Sequence, residues 1–322
     1  MNTKSILESL ILKEIIPRQQ AEKILEFETQ KPFSIHWELR SILYLGISLL
    51  TSGLGILVYE NIDTIGHQAI ITVISALIAT CFYYVYKTRQ PFQWSEINQT
   101  TKYGDYSLLF GCTLFLILEG YLQFQYNFFG TRYGIAIFIP TLLFFLLAYR
   151  FDHRGVLSMA ITGLASWLGI TISPMSILTK NDFSSPGLIA TGTILGLALC
   201  LIGWLSETRN LKKHFAFTYL ILGGNLAAVT GLTGVFNQEF KIVYLLIVAM
   251  LCLFLVYYAR NSQSLIFLLM GVIYGYFLIS YSLFAYLPDT ILAAFSIYYF
   301  MLSSVGVLFF LLNVKKILGL KK

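Results

Sequence analysis

The sequence predicts an all-α fold, a polytopic bundle of about ten transmembrane helices with both termini on the cytoplasmic side. Three observations predict it. First, 57% of the 322 residues are hydrophobic and 12% are charged, where a soluble domain carries roughly 25% charged residues; the mean hydropathy is +0.73. So few polar side chains cannot cover a water-facing surface, so the main solvent is lipid. Second, the apolar runs are long and continuous, as helices of about 20 residues require to cross the hydrocarbon core. A barrel would instead show strands of about ten residues with alternating polarity, and inside lipid a helix satisfies every backbone group internally. Third, the basic residues alternate between connectors. With the N-terminus placed inside, the inner segments hold 19 of the 22 Lys and Arg residues and the outer connectors 3, the asymmetry that orients membrane proteins.

Residues 1–40 differ from the rest, with six basic and six acidic side chains. Ser5 and Glu8 have capping-box spacing, and Ile6, Leu7, Leu10 and Ile11 make one apolar stripe. Pro17 suits the first turn of a second helix, which Ala21, Ile24, Leu25 and Glu28 continue. The segment reads as a cytoplasmic amphipathic helical hairpin at the membrane surface. No cleavable signal is expected, since Glu8 and Glu14 interrupt the apolar residues.

The transmembrane domain covers 41–314. Its spans are expected near 41–59, 67–86, 106–125, 133–149, 156–172, 187–205, 215–235, 242–259, 265–285 and 290–313. The fourth and fifth are joined by a brief polar turn containing Arg150, Asp152, His153 and Arg154. The longest inner loop, about Lys87 to Asp105, is too short for a domain. Residues 315–322 form a basic tail with Lys315, Lys316, Lys321 and Lys322. Together with Arg209, Lys212 and Lys213 they read as contacts for anionic lipid headgroups, not for nucleic acid.

Small residues recur at helix-contact spacing: Gly192 with Gly196, Gly271 with Gly275, and Gly223, Gly224, Gly231 and Gly234 in the seventh span. Such residues let helix backbones approach closely. Cys81, Cys112, Cys200 and Cys252 are isolated within apolar runs and read as small buried hydrophobes. The two halves show no convincing residue-level repeat.

Two polar residues inside spans are the candidate site. Glu119 is the one acidic residue well inside a span, where a charge costs roughly 2.5–3.5 kcal/mol and marks a functional position by default. It reads either as a proton, cation or substrate contact or as a structural carboxyl, with Arg132 and the hydroxyls of neighbouring spans as candidate partners. Asn225, beside Gly223 and Gly224, reads as an interhelical hydrogen bond or a local break exposing backbone to a ligand. His36, His67, His153 and His214 sit near span ends and read as interfacial; none has metal-ligand spacing, so no metal and no cofactor are expected. Nucleotide-binding, hydrolase, zinc-protease and voltage-sensor motifs are absent from the sequence, so no enzyme activity is expected.

The first 66 residues resemble an uncharacterised family of bacterial multi-pass membrane proteins, with a cytoplasmic helical hairpin, a Gly-rich first span and an Asn-Trp-Asp-like motif after it. The hairpin residues are 12–25 around Pro17, the span carries Gly46, Gly53 and Gly55, and the motif falls at Asn61, Ile62 and Asp63. Ile62 replaces the usual Trp, and Ile16 stands where a Ser or Thr often precedes the proline. The resemblance implies a bacterial inner membrane and brings no known activity. On their own chemistry, Asn61 and Asp63 form a candidate outer-turn motif. Asp63 and Thr64 either cap the second span or meet a ligand or partner.

The expected function is transport-related and permease-like. The alternative is a non-catalytic component of a membrane assembly that docks through its N-terminal hairpin, with a membrane protein or a second copy of the chain as partner.

Overall fold

The structure, a computed structural model, describes residues 11, 17–23, 36–60, 66–96, 102–173, 182–237, 240–285 and 288–319. Ten long helices fill them: α1 (His36–Glu60), α2 (His67–Lys87), α3 (Lys102–Tyr126), α4 (Tyr133–Phe151), α5 (Arg154–Ile172), α6 (Pro186–Thr208), α7 (Ala216–Asn237), α8 (Lys241–Ser262), α9 (Leu265–Ala285) and α10 (Asp289–Ile317). There is no strand among the described residues. Nine of the helices are long and apolar enough to cross a membrane, and α1 holds a shorter apolar stretch, Ser41–Leu57. The chain is a multi-pass membrane protein, and its helices follow the expected spans to within a few residues.

The chain divides into two compact units, Met1–Leu49 with Lys321–Lys322, and Leu50–Leu320. In the first, residues 18–23 are helical behind Pro17, whose carbonyl accepts from the Gln20 and Ala21 amides at 3.0 and 3.2 Å. Most of the expected hairpin lies outside the described residues. Within the first half of α1, Ile42, Leu45 and Leu49 are exposed, as lipid-facing side chains are.

The second unit is built from sequential hairpins. On α2 and α3, Ile70, Ile74, Ile78 and Leu114 form one apolar cluster, so one face of α3 is committed to α2. A two-residue turn joins α4 to α5. Asp152 takes a left-handed conformation (φ 60°) that stops α4, and His153 starts α5 by accepting the Val156 amide on Nδ1 at 3.0 Å. This is N-capping by an imidazole instead of the usual hydroxyl or carboxylate.

The closest helix contact is α6 on α7. A methyl group placed on Gly196 would lie 2.4 Å from the Ala227 nitrogen and 2.7 Å from the Gly223 oxygen. The backbones therefore meet at van der Waals distance, which only glycine allows. Near the end of the same seam, the Thr193 hydroxyl donates to Thr230 Oγ1 at 3.0 Å. On its other side α7 meets α8, with Gly231 against Val248 and Gly234 against the Tyr244 ring.

One core cluster lies toward one side of the bundle. Val85, Leu108, Phe144, Ala148, Val156, Leu157, Ala160, Leu199, Phe215 and Tyr219 are buried together. They come from the end of α2, the start of α3, the end of α4, the start of α5, the end of α6 and the start of α7. All of these helix ends lead into the basic connectors. Toward the opposite ends α4 and α5 stay paired, with Gly134 against Thr171 and the Phe138 ring 4.9 Å from that of Trp167, and α3 is the helix that stands apart.

Candidate functional site

Between α3 and the packed α4–α5 pair lies an open cavity of about 900 Å³. Leu116, Glu119, Gly120, Gln123 and Phe124 line it from α3, the face left over after Leu114 and Leu118 have packed on α2. Leu116 and Phe124 are exposed, so the cavity opens sideways along α3 as well as at its end. Glu119 lies seven residues before the end of α3, or about 10 Å along the axis. One carboxylate oxygen, Oε1, is buried with no hydrogen-bond partner. No ion pair joins Glu119 to Arg132 among the described residues, so the partner expected from sequence is not used.

Four other polar side chains of the lining, Gln123, Thr141, Ser158 and Thr162, are committed elsewhere; Asn127, Tyr133 and Ser166 also line it. Gln123 clamps the turn that follows α3. Its Nε2 donates to the Gly130 carbonyl at 2.9 Å and its Oε1 accepts from the Phe129 amide at 2.9 Å. Thr141 donates to the Ile137 carbonyl at 2.7 Å, Thr162 to Ser158 at 2.9 Å and Ser158 to Arg154 at 3.1 Å. Each hydroxyl is spent on its own helix, a common habit in membranes. Pro140, inside α4, has no amide hydrogen. The Ala136 carbonyl one turn earlier therefore loses its helical donor, and both residues line the cavity. Phe144, which belongs to the core cluster described above, forms the floor. A second cavity of about 450 Å³ lies between α5, α6 and α7, and Ser166 and Ile170 of α5 line both.

Below that floor the basic connectors are locked by buried charge. Lys212 Nζ donates to Asp152 Oδ1 at 2.9 Å, with side chains 1% and 2% exposed. His214 Nε2 lies 2.6 Å from the same oxygen, but off the line a hydrogen bond needs, so Lys212 supplies the directed contact. The Lys212 backbone, left-handed at φ 50°, donates its amide to the Trp94 carbonyl at 2.9 Å, and its ammonium sits 5.1 Å from the Phe92 ring centre. Arg150 donates to the Gln90 carbonyl at 3.0 Å. These bonds tie the loop after α2, the α4–α5 turn and the loop before α7 into one closed plate. Beside it, the Tyr149 and Tyr219 hydroxyls meet at 2.9 Å.

Sequence reasoning missed this plate. Asp152 was placed in a polar turn, and His153, His214 and Lys212 at the interface; the structure buries all four. Asp152 and Lys212 are 60 positions apart, so no local spacing links them. The usable signal was an acid in a two-residue turn, too short to reach water freely.

Asn225 lies in the interior of α7, away from the cavity lining. Its Nδ2 donates to the Ile221 carbonyl at 2.7 Å, and its Oδ1 accepts from the Tyr274 hydroxyl at 2.6 Å. The amide joins α7 to α9, and α7 stays helical through it. Glu119 and Asn225 are therefore not brought together. Asn61 and Asp63 lie outside the described residues. The N-cap of α2 is Gly66, at φ 81°. His67 accepts or donates at Tyr121 Oη, 2.6 Å away, joining α2 to α3. Among the described residues no group of three or more His, Cys, Asp or Glu side chains is placed to hold a metal.

No curated protein and no solved structure matches the chain. One family model does. Residues 8–157, from the N-terminal segment through Glu119 to the α4–α5 turn, are similar to the family described as predicted membrane protein (DUF2157), an uncharacterised membrane family.

Proposed function

We propose that this protein is a permease-like transporter of a small molecule and that the cavity beside Glu119 is where the cargo rests. The observation that carries the reading is the one-sidedness of the cavity. It is open along α3 and toward the turn after it, floored by Phe144, and separated from the basic connectors by a packed core and the Asp152–Lys212 plate. A carrier needs a site reached from one side while the other is shut. A helix interrupted at Pro140 and an ionisable group without a partner are the features such sites use. In the bacterial inner membrane orientation read from the basic connectors, the open side faces outward and the closed plate faces the cytoplasm.

The test is uptake without a chosen substrate. Proteoliposomes carrying the wild-type chain, Glu119→Gln, or no protein are incubated with the small-molecule fraction of a cell extract, washed, and assayed by mass spectrometry. Transport predicts at least one compound enriched with the wild type and reduced with Glu119→Gln. Identical contents in all three preparations would sink the proposal.

A further inference from the structure

The cavity also carries information about the chemistry of its occupant, an inference that rests on reading it as the ligand site. Its lining contains one carboxylate, Glu119, and no Lys, Arg or His. Four of the lining's donors are spent on backbone, and the remaining ones, on Asn127, Tyr133 and Ser166, carry no charge. The hydroxyls of Thr141, Ser158 and Thr162 and the amide of Gln123 all bond backbone carbonyls. The acceptors are not spent. Glu119 Oε1 is buried and unbonded, and Pro140 denies the Ala136 carbonyl its usual donor. A site with a free carboxylate oxygen and no cationic side chain selects a positive ligand, because an anion would meet a like charge and no counter-charge.

The rest of the lining sets the body of the ligand. Phe124, Phe144, Met159 and Tyr133 present rings and a thioether, surfaces that bury apolar groups and favour a cation near an aromatic face. A volume of about 900 Å³ accommodates several rings. The lateral opening past the exposed Leu116 and Phe124 admits molecules that partition into lipid.

We infer that the cavity binds amphiphilic organic monocations, with the charge set against the Glu119 carboxylate and an aromatic or alkyl body against Phe124, Phe144 and Met159. The ligand supplies the partner that this carboxylate lacks within the protein, which gives an unsatisfied buried group a purpose.

Tetraphenylphosphonium is the probe, and tetraphenylborate, of nearly the same shape and opposite charge, is its control. Binding is measured by equilibrium dialysis on the full chain in nanodiscs, with empty nanodiscs subtracted. The wild type is expected to bind the phosphonium saturably and to show no saturable borate binding. Glu119→Gln should weaken phosphonium binding at least about tenfold. Ala136→Phe, which fills the space without touching the charge, should abolish it. The phosphonium and borate comparison needs no variant, so it decides the matter even where a substitution fails to fold. Absence of saturable phosphonium binding, equal binding by Glu119→Gln, or saturable borate binding would each overturn the inference. Phosphonium that binds through Glu119 but is not carried into proteoliposomes would remove the transport reading and leave the ligand class standing. Glu119-dependent uptake of neutral or anionic compounds alone would do the reverse.

Discussion

The α6–α7 seam and the α3–α5 cavity lie in the same bundle and are made from similar apolar helices, yet one brings two backbones into contact and the other leaves a space of about 900 Å³. The difference lies in what each helix offers its neighbour. On α6 and α7 small residues face small residues, so Gly196 and Gly223 let the backbones touch. On α3 the face toward α4 and α5 carries Leu116, Glu119, Gln123 and Phe124, while α4 answers with Pro140. None of these interlocks with another, and a carboxylate cannot be packed against apolar groups without a partner. In an apolar 18-residue window of Lys213–Asn237, 61% of the residues are buried, against 22% in that of Tyr103–Tyr126. Stability is concentrated in one region and chemistry in the other.

The comparison can be broken or sharpened by substitution. The largest effect is expected outside the cavity, at Lys212→Met, which leaves the Asp152 charge buried without its cation. Removing one member of a buried pair costs about 3–5 kcal/mol, read as a fall in the unfolding midpoint in lipid or mild detergent. Next comes Gly196→Ala. The new methyl meets backbone atoms of α7 that cannot rotate away, so the helices must separate, at about 1–3 kcal/mol. An unchanged midpoint would mean the seam is not as close as described. Tyr274→Phe removes the α9 partner of Asn225 and should cost about 0.6–1.7 kcal/mol by the same measurement. Last comes Glu119→Gln, which keeps volume and removes a buried charge with no protein partner, so the midpoint should hold or rise. A large loss there would show that Glu119 holds the fold together and would move it to the structural side of the comparison.

How much of this was legible in the sequence follows from the range of each interaction. The helices were readable because lipid enforces a local rule, about 20 apolar residues per span, and the short polar turn at Asp152 and His153 marked a true helix boundary. The glycines of α6 and α7 announced close approach without saying which helices met. Glu119 was legible as a cost, since a carboxylate in an apolar run stands out alone. The cavity around it was not legible, because it arises where α3 stands off the packed α4–α5 pair, and Pro140, Ser158 and Met159 carry no common pattern. Asn225 was visible for the same reason as Glu119, yet its partner Tyr274 is 49 positions away. The plate of Asp152, Lys212 and His214 was invisible because each residue, taken alone, looks like an ordinary end-of-helix side chain.

The separation of Asp152 from Lys212 also sets a clock. The two are 60 residues apart, and a ribosome adds about 5–20 residues per second. For roughly 3–12 s of every synthesis, therefore, the α4–α5 hairpin exists without the lysine that its turn is shaped to receive. During that interval the acidic turn has reason to remain at the water boundary, and the arrival of Lys212 is the event that lets it sink and close. Assembly of this bundle is thereby ordered: the half that holds the cavity is made first and waits for the half that locks it.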